Sequence, residues 1–413
     1  MAKGMLVFEF VALVVVLAVV FVDGRRGGDE ERGMCAVVVN GTGYPCKEYT
    51  VETQDGFLLG LQRISHGIER RGDGTKRMPV LLQHGLLQGG DNWVLNLPGQ
   101  SLGFILADEG FDVWIANGRG TRWSHGHKTY SKHDREYWDW TWDELAEYDL
   151  PAMLEFVMTT TGSKVFYVGH SQGTIMGLAS FSQPVVTDML AAAALLSPIT
   201  YLDHISSNFI NAAAHHYIDR MVKTMGVREF NLRNEVGVKL MDYVCQREDV
   251  DCGNLLAAIT GPNCCFNGTR IPYYLQFEPH STSLKNLAHL AQMIRRGTFA
   301  KYDYGILGNL QHYLSLSPPD YDLTIIPESL PLWMASGGND ALADPVDVIR
   351  TIEQLRSTPE VIVLPEYGHI DFVLSIQAKE DLYDSMIAFF RAHADRCVLG
   401  PAQVTRVPEL SSF

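Results

Sequence analysis

Six short apolar runs, each followed by a helix-like stretch, constrain this chain more than any other feature. They read PVLLQ (79–83), DVWIAN (112–117), KVFYVG (164–169), AAALLS (192–197), PLWMAS (331–336) and EVIVLP (360–365). Most are continuous rather than alternating in hydrophobicity, which predicts strands covered on both faces. Strands that alternate with helices imply an α/β architecture with a mostly parallel, doubly wound sheet. Upstream, KEYTVETQDGFLLGLQRI (47–64) alternates around Asp55-Gly56 and predicts a β-hairpin. The stretch WDELAEYDLPAMLEFVMTTTG (142–162) predicts a helix ending at Gly162, with Pro151 kinking it or starting a second segment.

The rhythm breaks between Pro198 and about Leu330, where amphipathic helical stretches such as SLKNLAHLAQMIRRGTF dominate. Strands resume afterwards. Residues 198–330 therefore read as a helical cap or lid inserted between two parts of one core, 25–197 and 331–413, rather than as a second domain.

The third run leads into Gly-His-Ser-Gln-Gly, with Ser171 flanked by Gly169 and Gly173 at the point where strand becomes helix. A serine hydroxyl is a poor nucleophile at neutral pH and needs a base, an orienting acid and an oxyanion hole. G-x-S-x-G on a strand-to-helix turn exposes such a hydroxyl, and its glycines avoid clashes that a Cβ would cause. The adjacent His170 points elsewhere on such a turn and reads as structural. In this chain order the acid follows a later strand and the base a still later one. Asp340 in SGGNDALADP fits the acid and His369 in PEYGHIDF the base. Asp344 and Asp371 are near rivals for the acid, although Asp344 precedes Pro345 and suits a helix cap. One oxyanion donor is the N–H of Gln172. Leu86, after strand 79–83 in HGLLQGG, is the candidate for the second.

The N-terminus carries Lys3 and a 13-residue apolar run, Phe10 to Val22. This fits a signal peptide cleaved after Gly24, with an uncleaved anchor as the alternative, and is short for a span of roughly 20 residues. Secretion makes the seven cysteines an oxidising set. Cys35 and Cys46 can staple the mature N-terminus; Cys245, Cys252, Cys264 and Cys265 cluster, with their connectivity open; Cys397 stands alone. The cluster lacks the C-x2-C spacing of structural zinc. His125, His127 and His133 lie in a polar loop with no spacing that aims them at one ion. Asn40 and Asn267 each head an N-x-T sequon and are candidate glycosylation sites. A formal charge of -15 argues against nucleic acid or an anionic membrane as partner.

Longer stretches sharpen the reading. LQHGLLQGGDNWVLNLPGQSLGFILADEGFDVWIANGRGTRWS (82–124), EYWDWTWDELAEYDLPAMLEFV (136–157), YVGHSQGT (167–174), GGNDALADPVDV (337–348) and YGHIDF (367–372) are spread along the chain. In these the chain resembles the acid lipase family of α/β-hydrolases. The resemblance implies Ser171 as nucleophile, Asp340 as acid, His369 as base, and Leu86 and Gln172 as oxyanion donors. It also implies a lid over an acyl-binding cleft and neutral lipid esters met at a lipid–water interface. The chain departs from the family pattern before residue 267 and in the adjacent Cys264-Cys265. The expected function is therefore that of a serine ester hydrolase of the secretory pathway, secreted or vacuolar/lysosomal, needing no metal or organic cofactor. Sterol esters, short esters, acyl transfer and a non-catalytic lipid- or partner-binding role are the alternatives.

Overall fold

The computed structural model describes residues 33–70, 74, 76–224, 226–231 and 252–398. The expected signal segment and Cys245 lie outside them. No helix among the described residues is long and apolar enough to cross a membrane.

The apolar runs form strands close to where they are read. They are β1 (Lys47–Glu52), β2 (Phe57–Ile64), β3 (Pro79–Gln83), β4 (Asp112–Ala116), β5 (Val165–His170), β6 (Leu190–Leu196), β7 (Leu332–Gly337) and β8 (Glu360–Leu364). They lie in the order β1-β2-β4-β3-β5-β6-β7-β8, and a two-residue strand, Gly126–His127, pairs with β2. β1/β2 and β2/β4 are antiparallel. The other neighbours are parallel. Alternate residues point to opposite faces and fill two cores. Leu81, Trp114, Tyr167, Leu195 and Met334 share one. Val80, Leu82, Ile115, Phe166, Val168 and Trp333 share the other. Among the six runs expected to be covered on both faces, the exception is β8. It pairs, among the described residues, only with β7, at the sheet edge, and Val361 and Val363 are exposed.

The helices are α1 (Leu102–Asp108), α2 (Leu150–Thr161), α3 (Gln172–Ser180), α4 (Asn208–His215), α5 (Cys252–Thr260), α6 (Leu284–Arg296), α7 (Ile306–Tyr313), α8 (Pro345–Gln354) and α9 (Asp384–Ala392), with shorter turns between. The 142–162 stretch is divided, as Pro151 requires. A capping box at Thr141 and Glu144 opens it, a wide turn over Leu145–Asp149 follows, and α2 carries Pro151 in its first turn. Pro151 has no N–H to donate, so the wide turn sits where a regular hydrogen-bond ladder would fail. Gly162 ends α2 in the left-handed region, φ 61°.

The described residues of 198–330 lie outside the main sheet, and their longest elements are the helices α4 to α7. Cys35 pairs with Cys46, and Cys264 with its neighbour Cys265, while Cys397 is free and buried. A buried guanidinium fastens the β1–β2 hairpin to the body: Arg119 bonds Asp55 on one side and Asp149 on the other, each at 2.6 Å. Removing one partner of such a buried pair typically costs about 3–5 kcal/mol.

Candidate active site

The strand order reverses between β3 and β5, since β4 lies to one side of β3 and β5 to the other. Crevices at the carboxyl ends of strands beside such a reversal are where doubly wound sheets bind ligands. Ser171 follows β5 there, and the His84-Gly85-Leu86 turn follows β3. Ser171 has φ 52° and ψ -118°, a strained conformation between strand and helix. The surroundings enforce it. A Cβ on Gly169 would lie 2.7 Å from the Gly173 carbonyl oxygen, and one on Gly173 would lie 2.7 Å from the Gln83 carbonyl oxygen. The glycines thus serve both chemistry and packing: they let β5, α3 and β3 approach closely enough to hold the serine.

Ser171 Oγ lies 2.7 Å from His369 Nε2. His369 Nδ1 lies 2.9 Å and 3.0 Å from the two carboxylate oxygens of Asp340. Asp340 also accepts the Ser197 hydroxyl at 2.6 Å and the Leu342 and Ala343 amides at 2.9 and 2.8 Å. Burial opposes its charge, but the His369 imidazole and these donors together hold Asp340 below the usual carboxylate range. A neutral imidazole donating Nδ1–H to that carboxylate presents a bare Nε2 to the serine hydroxyl. Ser171, His369 and Asp340 are 7%, 3% and 2% exposed. Charge that develops among them is therefore poorly screened by water.

The rivals have other duties. Asp344 caps α8 through the Val346 amide. Asp371 accepts the amides of Gly368, Cys264 and Cys265, at 2.9, 2.9 and 3.1 Å. His170 Nε2 lies 3.0 Å from the His369 carbonyl oxygen and Nδ1 3.0 Å from Gln88 Oε1, and a neutral ring donates to one of the two. Burial, with His369 nearby, lowers the His170 pKa to about 3, so it stays neutral.

Gln172 opens α3, where a first-turn amide has no partner inside the helix and the helix dipole is positive. The peptide joining Gly85 to Leu86 is oriented by its carbonyl, which faces His84 Nδ1 at 2.8 Å and accepts the Gln88 amide at 3.3 Å. In a trans peptide the Leu86 N–H points the opposite way. Gln88 Oε1 also accepts the Gly85 amide at 2.8 Å.

Residues of the 198–330 segment reach this site from two directions. On one side, the His369 backbone N–H donates to the Thr260 carbonyl at 3.1 Å, and Ile370 N–H to Asn263 Oδ1 at 3.0 Å. Near Leu86, the Glu278 carboxylate accepts the Gly89 amide at 3.1 Å and His280 N–H donates to the Leu87 carbonyl at 2.8 Å. The His280 ring lies 3.1 Å from buried Asp91 and accepts the Arg122 amide at 3.0 Å. Asn286 on α6 donates to the Gln172 side chain at 2.7 Å. Sequence reading passed over Gln88, Asp91, Ser197, His280 and Asn286. Only Ser197, at the end of the strand beside that of Ser171, carried a positional signal.

Among the described residues, the side-chain groups close enough to share an ion are Asp91–Glu278–His280 and Asp203–His204–Asp347. None comes from the 123–134 loop. There, His127 accepts the Thr129 and Tyr130 amides and steadies a turn. Asn40 is exposed in a turn, and Asn267 is half-buried and caps the short helix Gly268–Arg270.

Residues 78–375 match the alpha/beta hydrolase fold family, and residues 35–97 match its partial alpha/beta-hydrolase lipase region. The chain is 50% identical over 365 residues to Triacylglycerol lipase 1 of Arabidopsis thaliana, a match covering 88% of this chain and 92% of that one. It is 36% identical over 399 residues to the Lysosomal acid lipase/cholesteryl ester hydrolase of Homo sapiens, covering 93% and 99%. A solved structure of monoglyceride lipase from Saccharomyces cerevisiae shares the fold, with TM-score 0.54 and 15% identity over 86% of this chain and 97% of that one. The chain belongs to the α/β-hydrolase family, in the branch that holds the plant triacylglycerol lipases and the gastric and lysosomal acid lipases.

Proposed function

We propose that this chain hydrolyses triacylglycerols at a lipid–water interface, with Ser171 as nucleophile, His369 as general base and Asp340 as its orienting acid. The observation that carries this reading is the continuous hydrogen-bond line from Ser171 through His369 to Asp340 at the topological switch of the sheet. As Ser171 Oγ attacks the ester carbonyl carbon, its proton passes to His369 Nε2, and Asp340 stabilises the imidazolium that forms. The carbonyl oxygen becomes an oxyanion held by the Leu86 and Gln172 N–H groups. The C–O bond to the alcohol breaks, and His369 returns the proton to the leaving alkoxide. Water, deprotonated by His369, then attacks the acyl-enzyme; the second tetrahedral intermediate collapses, the proton returns to Ser171, and fatty acid is released.

In this reading residues 198–330 form a cap over the cleft, and the 1–24 segment directs the chain into the secretory pathway. Asn40 and Asn267 then carry glycans.

The test is hydrolysis of esters from acetyl to oleoyl, including emulsified trioleoylglycerol and a cholesteryl ester, beside Ser171→Ala. Loss of the nucleophile lowers kcat by about 10⁶ in the best measured serine hydrolase. Cleavage of long-chain emulsions by the parent, with an inert variant, is the expected result. Cleavage of short esters alone makes the protein an esterase. Preference for the cholesteryl ester moves the substrate to sterol esters. Equal inertness of parent and variant from pH 4 to 8 overturns the proposal.

A further inference from the structure

Among the described residues, α6 and α9 bury their apolar stripe, but α7 does the reverse. Ile306, Leu310 and Leu314 follow one another at four-residue spacing, Leu307 stands beside them, and Leu316 follows in the next loop. All five are exposed, Leu307 by 83% and Leu314 by 90%. The opposite side of the helix is anchored by polar groups. Buried Asn309 binds Asp303 Oδ1 and accepts the Tyr304 amide, and Tyr313 donates to the Tyr302 carbonyl. The stripe is therefore held outward by design of the inner face, and contiguous exposed apolar surface of this kind marks a contact.

Charge selects the partner. The chain carries a net charge of -15, yet no Asp, Glu, Lys or Arg occurs between Asp303 and Asp320. An anionic bilayer is recognised by clustered basic residues. An uncharged, apolar surface requires none, and a triacylglycerol droplet presents one. The mounting of α7 fits the same partner. Gln292 of α6 exchanges two hydrogen bonds with the Asp303 backbone at 3.0 and 2.8 Å, while Asn286 of the same helix holds Gln172. One rigid helix thus connects the exposed leucines to the oxyanion side of the site.

We infer that α7 and the loop to Leu316 form a docking surface for neutral lipid droplets, an inference that rests on the lipase reading above. Binding is tested by flotation of Ser171→Ala with phosphatidylcholine-stabilised triolein droplets, with and without Leu307→Ser and Leu314→Ser. Burial of an exposed leucine in lipid is worth about tenfold, so the double substitution weakens droplet binding by about 100-fold. In the Ser171 parent the same pair lowers trioleoylglycerol hydrolysis while changing turnover of p-nitrophenyl butyrate, kept below its solubility limit, by less than twofold. Leu307→Trp retains binding and shows a blue-shifted emission on droplets. Unchanged flotation overturns the inference, as does an equal loss on the soluble ester. A parent dimer that the substitutions convert to monomer also overturns it, by assigning the stripe to a second copy. Failure of the lipase reading has a different signature: a parent inert on every ester, whatever the flotation result.

Discussion

Ser171 and His369 face each other across 2.7 Å but are held by different means. The constraints on Ser171 come from the sheet: the end of β5, the start of α3, and two glycines with no room for a side chain, one of them against β3. Several of those on His369 come from more than 100 positions away. Thr260 takes its amide, Asn263 takes the next, and Asp371 draws Gly368 and the Cys264–Cys265 turn together. Asp340 is intermediate: it sits beyond β7, yet Ala341 N–H donates to Thr260 at 3.3 Å. The proposed nucleophile thus depends on the sheet, and the proposed base on the segment that lies between two strands of it. A segment read as a cover is also part of the frame.

The contrast can be broken by substitution. Asp340→Asn removes the proposed acid and, by the precedent of other triads, lowers kcat by about 10⁴. Asp371→Asn leaves every proposed catalytic group in place but sets an NH2 against donors that now meet a carboxylate. Hydrogen bonds to charged groups are worth about 1.5–3 kcal/mol. The expected result is a 10- to 100-fold lower kcat on a soluble ester with KM nearly unchanged. Full turnover by Asp371→Asn would mean that the strand end alone secures His369, and the comparison would fail.

A smaller effect is expected on the oxyanion side, where the Leu86 turn rests on β3 as well as on Glu278 and His280. His280→Gln should lower kcat by about tenfold, on the scale of one hydrogen bond to a charged partner. Inactivation by a phosphonate ester should slow in parallel, since its tetrahedral adduct uses the same amides. A change in KM alone would assign the Asp91–His280 pair to substrate binding instead.

The smallest effect on turnover, and the one that sharpens the contrast in stability, lies at Asp143. It joins the core to the insertion by accepting the Tyr302 amide and the Tyr321 hydroxyl, each at 2.9 Å. Burial, only partly offset by these donors, raises its pKa from 3.8 to about 6. Between those values the folded protein holds a proton that the unfolded chain releases, so this stabilisation is full below about pH 4 and lost above about pH 6. Buried His84 and His289, lowered to about 4 and about 3 mainly by desolvation, slope the opposite way. Asp143→Asn should therefore gain on the parent in unfolding free energy, read from denaturant titrations, as pH rises from 4 to 7, by an amount on the order of 2–3 kcal/mol. A difference between the two proteins that does not change with pH would show that Asp143 does not titrate in that window.

What was legible in the sequence follows the same division. Ser171, its glycines and the strand around it form one contiguous pattern, and Asp340 and His369 fall in order after later apolar runs. The hairpin, the interruption at Pro151 and the return of strands after residue 330 were equally local. Gln88, Asp91, His280 and Asn286 act through pairings across gaps of 80 residues and more, and one sequence carries no mark of which polar residue meets which. The edge position of β8 was hidden for a related reason: EVIVL is as apolar as its neighbours, and its exposure follows from its place at the end of the strand order.

The grip of residues 260–265 limits how such a protein can be rebuilt or diversified. Gly261 has φ 87°, and a Cβ there would lie 1.9 Å from the Asn339 carbonyl oxygen, beside Asp340. Exchanging the whole insertion between relatives to alter acyl preference would carry this joint with it and detune the chemistry together with the specificity. Grafts that begin after Cys265 and stop before Glu278 leave both attachments intact. In this molecule, then, the boundary between interchangeable part and catalytic chassis runs through the insertion and not at its ends.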